Sequence, residues 1–161
     1  NAALRNNWNY ELNGNSANQE EYRKIGFSIV ELIRQKKTGL KENIITYRGV
    51  ELSYFKDYGI TSLDELQSLE GNFLLDSGLV STSLEEKTSY FKKENDLGLN
   101  YNIKIEYMVP QEFKDGIYLT GNASYNPEQQ EFLINASNLS KVNSVTINPD
   151  NTAVIKTTLI P

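Results

Sequence analysis

The chain has 161 residues, 39% of them hydrophobic, with 16 basic and 21 acidic side chains, a formal net charge of −5 and an isoelectric point near 4.9. That length suits one domain, residues 1–161, with a core of its own, and the acidic balance argues against a nucleic-acid surface, which needs clustered Lys and Arg to displace counterions from phosphates. With no Cys and no His, thiol nucleophiles, Ser-His and Cys-His dyads and the common zinc sites are excluded together, so the chemistry is expected to run without a metal on carboxylates, hydroxyls, amides and Arg. No apolar run approaches the roughly 18 residues needed to span a bilayer, and Asn1 to Tyr10 lacks the basic and apolar regions of a signal peptide.

Gln19 to Lys37 places Tyr22, Ile25, Ile29, Leu32 and Ile33 at helical spacing, with Glu20 and Glu21 near the start and Lys36 and Lys37 near the end, as the helix dipole favours. Gly39 stops this helix, and Asn43 to Gly49 then reads as a strand rich in β-branched and aromatic residues. Thr61 to Leu69 predicts a short helix capped by Thr61 or Ser62, and Asp76-Ser77-Gly78 a turn leading into a strand over Leu79 to Leu84. Glu85 to Lys93 predicts another short helix, and the polar stretch from Lys93 to Asn100 a mobile loop. Strands are expected over Tyr101 to Val109, Gly116 to Leu119, Glu131 to Ile134, Val142 to Ile147 and Ala153 to Ile160. Helices first and strands after predict an α+β fold, with the N-terminal helix or helices packed on two antiparallel β-sheets.

Three short segments carry chemistry. Arg48, at a strand end, is either an ordinary ion-paired Arg or a planar fork that grips a phosphate bidentately. Ser81-Thr82-Ser83 is either a run of ordinary strand hydroxyls or a set in which Ser81 orients a carboxylate by a hydrogen bond. Pro127 to Glu131 is a polar loop entering the apolar strand Phe132-Leu133-Ile134, and strand alternation would turn Gln129 and Glu131 to one side and Gln130 to the other.

Taken in order, Tyr47-Arg48-Gly49, Ser81-Thr82-Ser83-Leu84 and Gln129-x-Glu131 resemble the Arg, Ser-Thr-Ser, Gln/Glu-x-Glu signature of the bacterial mono-ADP-ribosyltransferase toxins. That family includes the clostridial Rho-modifying exoenzymes and the catalytic components of binary actin-modifying toxins. The resemblance spans roughly Ile25 to Ile160 and implies an ADP-ribosyltransferase-like fold with NAD as co-substrate and no metal. It implies that Arg48 grips NAD phosphate, that Ser81, Thr82 and Ser83 line the cofactor site, and that Glu131 is the catalytic carboxylate, bonded to the nicotinamide-ribose 2′-hydroxyl. Phe91, ten residues after Ser81, falls where such toxins set an aromatic against the nicotinamide, though it also reads as a core Phe. Lys92 and Lys93 follow as candidate phosphate contacts or as a solvated pair.

The position two before the catalytic Glu divides these toxins: Glu there accompanies arginine modification, and Gln accompanies asparagine or another non-arginine residue. Gln129 therefore points to an amide-bearing acceptor on a small GTPase or cytoskeletal protein of the host, and Tyr125, in the loop before it, is the expected target-recognition aromatic. A secreted protein acting in the host cytosol, with a separate translocation component or domain and no membrane insertion of its own, is the corresponding expectation. Arginine-directed transfer and NAD glycohydrolysis are the alternative activities. A β-rich adhesive or carbohydrate-binding module is the non-enzymatic alternative.

Overall fold

A computed structural model describes residues 16–36, 38–89, 91, 101–119 and 130–161. The N-terminal helix, α1 (Ser16–Lys36), is followed by β1 (Ile44–Val50), then by 3-10 turns over Leu52–Tyr58 and Asp64–Leu69. Next come β2 (Phe73–Asp76), β3 (Val80–Ser83) and a three-residue 3-10 turn at Glu86–Thr88. The remainder is β4 (Ile103–Val109), β5 (Gly116–Tyr118), β6 (Glu131–Ile134), β7 (Asn138–Ile147) and β8 (Ala153–Leu159).

The strands join in one hydrogen-bonded order, β2-β7-β8-β4-β1-β3-β6-β5. Every pairing is antiparallel except β4 with β8, so the α+β class holds while the two expected antiparallel sheets are continuous through a parallel step. Cross-strand partners share a face, which sorts the side chains into two sets. One face carries Val50, Ile103, Ile105, Tyr107, Val109, Val80, Phe132 and Ile134, all fully or nearly buried in the main core with Phe55, Leu66 and Leu69 of the 3-10 turns. The other face carries Tyr47, Ser81, Ser83, Lys104, Glu106, Glu131 and Leu133.

Helix α1 covers part of this second face, where Val30 and Ile33 pack on Leu79 and Leu133. Burying those two side chains contributes roughly 1.5–3 kcal/mol each. The buried stripe keeps Ile33 and the partly buried Ile29 of the expected one, while Ile25 and Leu32 are exposed and Gly26 and Val30 are buried in their stead. The periodicity of the apolar residues is compatible with both stripes, and docking on Leu79 and Leu133 selects one. Lys36 closes the contact by donating to the Gly116 carbonyl at 2.9 Å.

The predicted helix over Thr61 to Leu69 forms only as the 3-10 turn from Asp64, and Glu85 to Lys93 contributes only Glu86–Thr88 among the described residues. The expected loop over Lys93 to Asn100 lies outside the described residues. Strand β2 was not legible in the sequence: four residues, two of them exposed, run straight into the Asp76-Ser77-Gly78 turn.

Gly116 lies under the ring of Phe132, which a Cβ would overlap. Gly116→Ala is expected to lower stability by about 1–3 kcal/mol through overpacking where β5 meets β6, read as a shift in urea midpoint at unchanged slope.

Candidate active site

Glu131 opens β6 opposite Ser83 of β3, and Ser81, two residues along, stands diagonally across from it. All three project on the face that α1 partly covers, and the Ser81 hydroxyl donates a hydrogen bond to the Glu131 carboxylate. Glu131 is 2% exposed, so a partner is required: a carboxylate this far from water is costly unless it accepts hydrogen bonds. Ser83 accepts from the Glu85 backbone N–H at 3.1 Å and so shapes the exit from β3. Thr82 points to the other face, where its hydroxyl donates to the Phe132 carbonyl at 2.7 Å and ties β3 to β6.

The alternation expected from Gln129 through Glu131 is not carried by extended backbone. Gln130 has φ 43°, a left-handed conformation that non-glycine residues rarely adopt, so the chain turns sharply just before the carboxylate. Its carbonyl accepts from Leu84 N–H at 3.2 Å, which anchors the turn to the end of β3. Gln129, Tyr125, Lys92 and Lys93 lie outside the described residues.

Arg48 follows Tyr47, whose cross-strand partner is Ser83, so its side chain takes the core face rather than the face of Glu131. There it reaches Asp76, Nη1 to Oδ1 at 3.9 Å, with the guanidinium 5.0 Å from the centre of the Tyr54 ring. The Tyr54 hydroxyl donates to Asp76, and that of Tyr107 lies 3.4 Å from its second oxygen. Burial works against the guanidinium charge, but Tyr54, Tyr107 and Asp76 outweigh it and hold the pKa above its ordinary value. Burial, as the chief cause, likewise pushes both phenols up, so they remain protonated donors. Arg48 also borders a cleft of about 640 Å³, with Tyr54, Lys56, Tyr58, Asp76 and Leu79. Sequence reasoning missed Asp76, which read as a turn residue; its signal was the position five before Ser81, at the mouth of the strand that carries the hydroxyls.

Phe91 is half-buried beside Lys104, whose ammonium stands 5.5 Å from its ring centre and 5.8 Å from that of Tyr47. Lys104 and its partners Glu86 and Glu106 also escaped the sequence, which marked Tyr101 to Val109 only as an alternating strand. Among the described residues no group of three or more Asp or Glu is arranged to hold a metal ion.

The sequence profile described as ADP-ribosyltransferase exoenzyme matches residues 1–160, and the chain belongs to that family, as an NAD-dependent mono-ADP-ribosyltransferase. Solved structures agree in fold. The toxin Plx2a from Paenibacillus larvae superposes with a TM-score of 0.69 at 21% identity, over 100% of this chain and 81% of that one. C3stau2 from S. aureus, solved with NAD, gives 0.64 at 18% identity over 99% of this chain and 79% of that one. BECa, the ADP-ribosylating component of a C. perfringens binary enterotoxin solved with NADH, gives 0.66 at 17% over 99% of this chain but 40% of its own. No curated protein sequence is significantly similar to the chain. Family membership sets aside the adhesive-module alternative.

Asp76→Asn is expected to leave the largely buried Arg48 without its countercharge and to lower stability by about 2–3 kcal/mol, measured by urea unfolding. A variant as stable as the parent would show that the two tyrosines suffice to hold the guanidinium.

Proposed function

We propose that the chain is one catalytic domain of a secreted toxin that acts in the host cytosol, cleaving NAD at the nicotinamide bond with Glu131 as the catalytic carboxylate and passing ADP-ribose to a protein side chain. The observation that carries this reading is the Ser81 to Glu131 hydrogen bond on the face bounded by α1, Tyr47 and Phe91. On the face of Glu131 the groups suit NAD, a carboxylate with a fixed orientation for a ribose hydroxyl and an aromatic ring for nicotinamide, while the Arg48 fork that suits phosphate borders a cleft of about 640 Å³ on the other side of β1, which meets this face at Leu79.

In this reading Ser81 fixes the carboxylate rotamer, and Glu131 accepts the ribose 2′-hydroxyl. As the glycosidic bond breaks, positive charge grows on the ribose, and the Glu131 carboxylate opposes it more strongly in the transition state than in the ground state. Low exposure strengthens that attraction by keeping water away. Arg48 serves as the phosphate grip, since five donors let a guanidinium hold Asp76 and still present a fork. Phe91 walls the nicotinamide side. Ser83 lies on the carboxylate's face and lines the site, while Thr82 supports it from behind through Phe132.

The acceptor is proposed to be an asparagine or another non-arginine residue of a small GTPase or cytoskeletal protein, delivered to Gln129 and recognised by Tyr125. An amide at 129 can both donate to and accept from a neutral carboxamide. Mass spectrometry of the modified host protein separates this acceptor from an arginine. Entry is proposed to use a separate translocation component or domain; no helix among the described residues is long and apolar enough to cross a membrane.

Glu131→Gln is expected to keep the fold and most of the NAD affinity but to lose at least about 100-fold in kcat for NAD cleavage. Near-parental turnover in the purified variant would overturn the catalytic assignment. Gln129→Ala should divide the two activities: ADP-ribosylation of protein falls strongly, whereas hydrolysis of NAD by water persists because Arg48, Ser81 and Glu131 are untouched. Parallel loss of both would refute that division.

A further inference from the structure

Lys104 sits on the outer face of β4, where a lysine ordinarily reaches water, yet its side chain is only 9% exposed. What covers it comes from the segment after β3. Glu86 meets the ammonium at 2.6 Å, and the rings of Phe91 and Tyr47 flank it at 5.5 and 5.8 Å. Glu106, next on the same face of β4, adds a contact at 3.4 Å but is shared with Lys156 at 3.9 Å. Burial opposes the charge, while the hydrogen bond and charge of Glu86, followed by Glu106, outweigh it and hold the lysine pKa above its ordinary value. A backbone bond from Gly49 N–H to the Ser89 carbonyl seats the same segment on β1.

We propose that Lys104 is a positioning residue that fastens the Glu86–Thr88 turn and Phe91 to the sheet beside Glu131, so that the aromatic wall is in place before NAD arrives. The inference rests on the reading of Phe91 as that wall. The route is continuous: Lys104 bridges Phe91 to Tyr47, Tyr47 pairs with Ser83, and Ser83 pairs with Glu131. Without the ammonium, Glu86, which is 55% exposed, is free to turn to solvent, and the ring loses its cation. The cost then falls on ordering Phe91 around nicotinamide, which appears in KM, and not on the carboxylate chemistry, which appears in kcat.

The test uses the purified whole chain and NAD hydrolysis. Lys104→Met should raise KM for NAD about fivefold with kcat within about twofold of the parent, and Lys104→Arg, which keeps the charge and the cation–π contact, should restore KM. Glu86→Gln, at an exposed position, should move KM the same way by about two- to threefold and decides the matter if Lys104→Met fails to fold. On a Phe91→Ala background, Lys104→Met should add no further change in KM, because its effect passes through that ring. Fully additive effects, or a loss confined to kcat, would overturn the proposal while leaving Phe91 in its role. An unchanged KM in Phe91→Ala alone would instead remove the reading on which it rests, and the proposal with it.

Discussion

A carboxyl group at 2% exposure is costly unless it is hydrogen-bonded, and the position of Ser81 supplies that partner at Glu131. The hydrogen bond exists because β3 and β6 pair with Ser83 opposite Glu131, which leaves Ser81 on the same face one step along. Slipping that register by one residue would turn Glu131 into the main core in place of Phe132 and Ile134, and would leave Ser81 facing away from it. Several other features secure the register: Thr82 donating to the Phe132 carbonyl, Gly116 making room for the Phe132 ring, and α1 pressing Val30 and Ile33 onto Leu79 and Leu133. The chemistry thus depends on a strand pairing, and the pairing on packing at both faces.

Strand β1 shows how one element serves two environments. Consecutive residues Tyr47 and Arg48 project to opposite faces, Tyr47 toward Lys104 and the pair Ser83 and Glu131, Arg48 toward Asp76, Tyr54 and the cleft. Asp76 reaches Arg48 because the chain passes from the edge strand β2 directly into the interior strand β3, so the end of the edge strand is brought to the rim of β1. The two charged clusters, Arg48 with Asp76 and Lys104 with Glu86, flank the same strand without sharing a residue.

Much of this was legible in the sequence. β-Branched and aromatic content, turn signals and alternation placed β1, β3, β4, β6 and β8 to within about two residues, and the spaced Arg, Ser-Thr-Ser and Gln-x-Glu segments singled out Arg48, Ser81 and Glu131. What escaped depended on tertiary partners. The apolar residues of α1 allow two stripes, and only docking chose the one through Val30 and Ile33. Lys104 and Glu106 alternate with isoleucine and tyrosine just as a solvated face would, and only the turn that folds over them removes them from water. Gln130 carries no local mark of a left-handed backbone; its partner, the Leu84 N–H at the end of β3, lies 46 residues away in sequence. The parallel pairing of β4 with β8 joins segments about 50 residues apart, beyond the reach of any local pattern.

That parallel step has a consequence for how the molecule comes together. Strand β8 lies between β7 and β4, so among the described residues the β2-β7 pair and the part holding β1, β3 and β6 share strand hydrogen bonds only through it. The strand that joins them follows every other described strand in the sequence. Local pairing between neighbouring strands can form early, but closing the sheet waits on long-range contacts whose loop entropy must be met first.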